Sequence, residues 1–317
     1  MILNIFLLIF GFVILIKGAD VFVDGASSIA GNFKVSKMLI GLTIVAFGTS
    51  APELAVSIKS MVSGNQDIVF GNVIGSNILN ILLILGVSAL FHALTVKNNT
   101  VKKELPITML ISTLFVVLMS DNIFDKGLAN SFTRSDGIVL LLFFLVFIYY
   151  LIIMARNKID DDSDKTYMSL GKAFIFTIGG IVAIVLGSNF VVDSASKIAA
   201  ILGVSEKMIS LTIIALGTSL PELVTSVMAT RKGEYDIAIG NVVGSNIFNI
   251  GIVIGIPITI FGSANQLSFN SIDLLVFLGS AMLLFFYSFN DRKISKGEGL
   301  SFLGIFIMYY TYVIMMG

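Results

Sequence analysis

Two short stretches hold the residues whose types and spacing could do chemistry. The first is Gly48-Thr49-Ser50-Ala51-Pro52-Glu53, set inside an apolar run from about Met38 to Val62. A glutamate at membrane depth costs roughly 3 kcal/mol by insertion scales, so it marks a functional site by default. Pro52 has no N–H, which leaves the Gly48 carbonyl without its helical donor. In lipid that carbonyl must find another partner, and a bound cation is one. A carboxylate, the hydroxyls of Thr49 and Ser50 and freed backbone oxygen are hard ligands of the kind that suit sodium or calcium.

The second stretch, Gly217-Thr218-Ser219-Leu220-Pro221-Glu222, repeats the first, 169 positions later. The same offset pairs Asp24 with Asp193, Ser36 with Ser205, Thr43 with Thr212, Asp67 with Asp236 and Asn80 with Asn249. About half the positions from Gly18 to Asn80 are identical to their partners, so the chain is an internal duplication. Each copy carries a further motif one helix on. These are Gly71-Asn72-Val73-Ile74-Gly75-Ser76-Asn77-Ile78-Leu79-Asn80 and Gly240-Asn241-Val242-Val243-Gly244-Ser245-Asn246-Ile247-Phe248-Asn249. Ser76 and Asn80 are four apart and share a helical face, as do Ser245 and Asn249. Between Glu53 and Asn80 the chain finishes one helix and goes halfway down the next, so both reach one depth. The reading predicts that Glu53, Asn80, Glu222 and Asn249 surround one midplane point as an oxygen cage for a cation.

The elements that must position these residues follow from composition. The chain is 56% hydrophobic and 13% charged, where a soluble domain carries about 25% charged residues. It reads as an all-α polytopic membrane protein. Zero cysteines exclude disulfides and thiolate metal sites, and a single histidine argues against a zinc centre. Zero net charge gives no reason to invoke nucleic acid. Residues 1–16 lack a charged leader region and read as part of the first membrane helix rather than a signal peptide. Apolar segments predict about ten helices, at 2–30, 38–62, 67–91, 105–120, 136–155, 169–199, 206–230, 235–260, 270–289 and 299–316, with 105–120 the shortest. A polar break at 156–168 separates a first five-helix repeat (1–155) from a second (169–317). Five is odd, so the second half enters the membrane from the opposite side and the repeats have inverted topology. Lys and Arg are concentrated after the odd-numbered helices, thirteen there against five on the other side. That bias places the 156–168 linker in the cytoplasm and both termini outside, in a multi-pass cell-membrane protein.

Other features have plainer readings. Asn72, Asn77, Asn241 and Asn246 read as interhelical hydrogen-bonding residues. Asp24 and Asp193 lie near helix ends and read as interfacial, and His92 sits at a helix end. The run Asp160-Asp161-Asp162-Ser163-Asp164 lacks the glycine and the final acid of an EF-hand loop and reads as solvated linker.

At the two paired motifs the sequence resembles the sodium/calcium exchanger branch of the cation/calcium antiporter superfamily, prokaryotic type. The resemblance covers nearly the whole chain. It implies a central cation site at Glu53, Asn80, Glu222 and Asn249. It also implies flanking sodium sites at Thr49, Thr218, Ser50, Ser219, Ser76 and Ser245, with the backbone carbonyls of Ala46 and Ala215. Some prokaryotic members carry aspartate where this chain has Asn249, so the fixed charge here is −2 rather than −3. The implied function is sodium/calcium exchange by alternating access, in which helices 1 and 6 slide against a fixed core. No cofactor and no covalent chemistry are needed, and a monomer is sufficient for transport. Exchange of proton for calcium, or of another cation, on the same scaffold is the alternative, and a cation channel is a different class. An intramembrane hydrolase would need a paired nucleophile and base or two catalytic aspartates, and the sequence offers neither.

Overall fold

The computed structural model describes residues 1–121, 130–157, 166–204, 213, 215–262, 264–265 and 271–316. The acidic run 160–164, the start of the expected 206–230 helix, and Lys126, Lys158, Lys165 and Lys207 lie outside the described residues.

The chain opens with α1 (Ile2–Phe33), which ends at Lys34 in the left-handed conformation with its N–H on the Ala30 and Gly31 carbonyls. Ser36 then caps the next helix, accepting from the Leu39 N–H at 3.1 Å. That helix comes as two pieces, α2 (Lys37–Thr49) and α3 (Ala51–Val62), bent by 44°. Ser50 leaves helical geometry between them, and Pro52 sits in the first turn of α3, where a missing N–H costs least. There follow α4 (Gln66–Phe91), a π-helical turn at Thr100–Glu104, α5 (Leu105–Leu118) and α6 (Arg134–Arg156). The second half runs α7 (Leu170–Ile201), α8 (Ala215–Thr218), α9 (Leu220–Arg231), α10 (Tyr235–Phe261), α11 (Ser271–Asp291) and α12 (Lys296–Met316).

Among the described residues seven helices are long and apolar enough to cross a membrane, and the bent α2–α3 pair makes an eighth. The difference from the ten expected has two sources. Helix α5 is only 14 residues long, and the α8–α9 segment is cut short by residues outside the described set.

Two helices form the middle of the molecule. In their most apolar windows, 78% of α4 and 94% of α10 are buried inside the protein, against 11% to 33% for α1, α6, α7, α11 and α12. A helix apolar on every side is enclosed by its neighbours; the outer helices instead present Ile, Leu, Val and Phe outward. Both central helices contain a π-helical turn, and each begins at an asparagine, Asn80–Leu85 and Asn249–Ile254. Such turns insert a residue into the ladder and recur at functional sites.

Like contacts recur in both halves beyond the motifs, although the offset falls from 169 between Glu104 and Asp273 to 159 between Tyr150 and Tyr309. Glu104 accepts the Tyr150 hydroxyl, and Asp273 accepts the Tyr309 hydroxyl at 2.9 Å. Short antiparallel ladders tie the halves together crosswise. Strand β1 (Leu94–Thr95) pairs with β4 (Lys293–Ile294), and β2 (Ser131–Phe132) with β3 (Ala264–Asn265). Capping boxes start both α6, at Thr133 with Asp136, and the matching α12, at Ser295 with Glu298.

The apolar interior falls into two clusters. One joins α4, α5, α6, α10 and α11. The other is built on α1 and α7 with a few residues of α2, α9 and α10. Helices α1 and α7 approach so closely that a Cβ on Gly18 would lie 3.0 Å from the Ile184 nitrogen. One on Gly187 would lie 2.6 Å from the Leu15 nitrogen. Small residues permit such contact between membrane helices. At one end of α1, Lys232 holds Asp20 at 2.8 Å and Asp24 at 2.5 Å, and Lys37 holds Glu234 at 2.5 Å. Asp24, Lys37, Lys232 and Glu234 line a polar cavity of about 640 Å³.

Candidate cation site

The breaks that end α2 and α8 set the site. At Thr49–Ser50 and Thr218–Ser219 the chain leaves one helix and starts another, with the proline and then the glutamate in the new helix's first turn. Helix N-termini favour negative charge, so Glu53 and Glu222 are placed where their carboxylates cost least. Glu53 is 0% and Glu222 1% exposed.

The two halves complete each other. Ser50 donates to Glu222 Oε1 at 2.9 Å, and Ser219 donates to Glu53 Oε1 at 3.5 Å. Each serine therefore serves the other repeat's acid. Ser219 also lies 3.4 Å from the Ser76 hydroxyl. Thr49 Oγ1 is 3.0 Å from both the Val45 carbonyl and Asn241 Oδ1, and 3.3 Å from the Ala46 carbonyl. The Ala46 carbonyl also accepts the Ser50 N–H at 3.0 Å. Ser76, Asn80, Ser245 and Asn249 are buried, and Thr218 is half-buried. Ala215 opens the four-residue helix α8.

Two further amides brace the backbone, one at each glutamate. Asn72 donates to the Glu53 carbonyl at 3.2 Å and to Ser57 at 3.3 Å. Asn241 does the same to the Glu222 carbonyl at 3.3 Å and Ser226 at 2.9 Å. Asn80 and Asn249 use their nitrogens across the middle, Asn80 on Asn246 Oδ1 at 2.9 Å and Asn249 on Asn77 Oδ1 at 3.0 Å.

This bonding leaves one oxygen free on each of four side chains. Glu53 Oε2, Asn80 Oδ1, Glu222 Oε2 and Asn249 Oδ1 are buried without a hydrogen-bond partner among the described residues, as is Ser245 Oγ. Buried polar atoms are nearly always satisfied. Four orphaned acceptors, two of them on carboxylates, fit a cation. Sequence reasoning chose the four residues but not the crossing of serine to acid. The only sequence signal for the crossing was the duplication, which supplies a second serine and a second acid. Ser57 and Ser226, four residues after each glutamate, were likewise legible by spacing.

Known proteins resemble this chain over nearly its whole length. The family model for sodium/calcium exchanger protein matches residues 3–153 and 172–315. A putative antiporter, CaxA of Alkalimonas amylolytica, is 38% identical over 96% of this chain and 97% of its own. The sodium/calcium exchanger MaX1 of Methanosarcina acetivorans is 33% identical over 97% of this chain and 96% of its own. The solved structure of the sodium-calcium exchanger NCX_Mj, soaked with 10 mM Na+ and zero Ca2+, superposes with a TM-score of 0.85. It is 32% identical, with 97% of each chain covered. The family is one of transporters, not of enzymes. With both motifs and both halves matched, this chain belongs to the sodium/calcium exchanger family.

Proposed function

We propose that this antiporter exchanges sodium for calcium at the cage of Glu53, Asn80, Glu222 and Asn249, with sodium also held by Thr49, Thr218, Ser50, Ser219, Ser76, Ser245 and the carbonyls of Ala46 and Ala215. The observation that carries the reading is the set of four buried, unpartnered oxygens. The two carboxylates supply −2, which one calcium neutralises, as do two sodium ions. Neither amide can take up a proton in exchange, which favours sodium over proton coupling. The name of MaX1, a sodium/calcium exchanger, supports the same reading. In this reading ten helices form two inverted repeats, 1–155 and 169–317, joined by a cytoplasmic linker at 156–168, with both termini outside.

The test is calcium flux in proteoliposomes. An imposed sodium gradient should drive calcium uptake and an imposed pH gradient of equal size should not. Uptake driven by the pH gradient without sodium would replace this reading with proton/calcium exchange.

A further inference from the structure

We infer that Asn77 and Asn246 are positioning residues that fix which end of the Asn249 and Asn80 amides faces the cage. An asparagine amide has two ends of similar shape and opposite function, an acceptor oxygen and a donor NH2. Only the oxygen can bind a cation. A site that uses amide ligands must therefore hold them against rotation by about 180°. The inference rests on the cage reading above and adds residues that touch no ion.

The bonds around the four amides supply the hold. Asn249 donates to Asn77 Oδ1 at 3.0 Å, and Asn80 donates to Asn246 Oδ1 at 2.9 Å. If the Asn249 amide turned over, its oxygen would face the Asn77 oxygen at that distance, acceptor against acceptor. Asn77 cannot turn to relieve this, because its own nitrogen donates to the Asn246 carbonyl at 3.2 Å. Asn246 is fixed in return by donating to the Asn77 carbonyl at 3.4 Å. The four amides thus lock one another across the two halves. All four are buried, and the two left with free oxygens are Asn80 and Asn249. The π-helical turns that begin at Asn80 and Asn249 bring these residues together one turn after Asn77 and Asn246.

Outer-shell partners of metal ligands commonly set affinity by about 10- to 100-fold. A carboxylate, in contrast, has oxygen at both ends and no wrong orientation. Replacing Asn249 by aspartate should therefore remove the need for Asn77. The experiment is a double-mutant cycle on the purified full chain at pH 8. Calcium affinity is read by radioactive calcium binding for the parent, Asn77→Leu, Asn249→Asp and the double variant. Asn77→Leu should weaken calcium binding about tenfold or more in the parent. In the Asn249→Asp background the same change should leave affinity within about threefold. Equal losses in both backgrounds would mean that Asn77 serves only packing and would overturn the inference. Asn246→Leu with Asn80→Asp forms the mirror cycle and gives the same reading if Asn77→Leu does not fold. Glu222→Gln is measured alongside. If it binds calcium like the parent, the cage reading itself fails. If it binds weakly while Asn77→Leu binds normally, only the positioning role fails.

Discussion

Glu222→Gln tests the cage most directly, because the change is nearly isosteric and its cost can be worked from the contacts. Ser50 holds Oε1 at 2.9 Å, and Oε2 is the free oxygen. The glutamine keeps its oxygen on the Ser50 hydroxyl, which leaves its NH2 where Oε2 was. The fixed charge falls from −2 to −1, and a donor now faces the cation. Removing one partner of a buried charge pair costs about 3–5 kcal/mol. At 1.36 kcal/mol per decade, that is roughly a 150- to 5,000-fold loss of calcium affinity. Without calcium the sign reverses. An unpaired buried carboxylate has become a neutral amide, so the ion-free variant should be as stable as the parent or more so. The assay is thermal unfolding of purified protein with and without calcium, beside radioactive calcium binding. At calcium 100 times its dissociation constant the parent gains about 2.7 kcal/mol, and the variant should gain less than about 0.5 kcal/mol. A folded variant with calcium affinity within about threefold of the parent would refute the assignment of Glu222.

Three further outcomes are expected. Cysteines placed at Lys97 and Lys165 should label from the cytoplasm and one at Arg134 from outside; labelling of Lys165 and Arg134 from the same side would exclude inverted repeats. Calcium affinity of the parent should vary little between about pH 6 and 8, whereas Asn249→Asp should lose affinity as pH falls, because protons compete with calcium for the new carboxylate. A steep dependence in the parent that persists without sodium would overturn this reading in favour of proton/calcium exchange. Gly187→Val should destabilise by about 1–3 kcal/mol, since even its Cβ would fall 2.6 Å from the Leu15 backbone nitrogen; a melting temperature equal to the parent's would show that α1 and α7 can separate without cost.

The helices and the duplicated acids were legible in the sequence because lipid enforces them. A span must be apolar for its full length, so its limits stand out, and a glutamate inside one has few reasons to be there. The duplication also marked Asn80 and Asn249 as partners. What the sequence concealed was the pairing between copies. Ser50 is three residues from Glu53 and bonds to Glu222, 172 residues away. Nothing in spacing along one helix reports a partner on another. The π-helical turns at Asn80 and Asn249 were equally hidden, since a single extra residue per turn leaves the apolar pattern intact. Glu104 lay just before an expected helix, where a charge attracts no notice. It is in fact fully buried against Tyr150.

The division of the interior into two clusters bears on the alternating access proposed for the site. Helices α1 and α7 pack on each other backbone to backbone through glycines. Their apolar cluster is separate from the larger one that encloses α4 and α10, which carry Asn80 and Asn249. A close-packed pair moves as one body, because parting its backbones would open voids that nothing fills. Between the pair and the remainder, part of the contact at one end is ionic, through Lys232 with Asp20 and Asp24, around a polar cavity. Half-exposed ion pairs of this kind contribute at most about 1 kcal/mol each and re-form readily with water. The positions matching Lys232 and Glu234 in the first half are Ser63 and Asn65, which carry no charge. The two ends of the α1–α7 pair are therefore held by different forces in a molecule whose cage is otherwise symmetric. A shift of the pair along the core would break the Lys232 ion pairs at that end, while Ser63 and Asn65 offer no charge to break at the matching one.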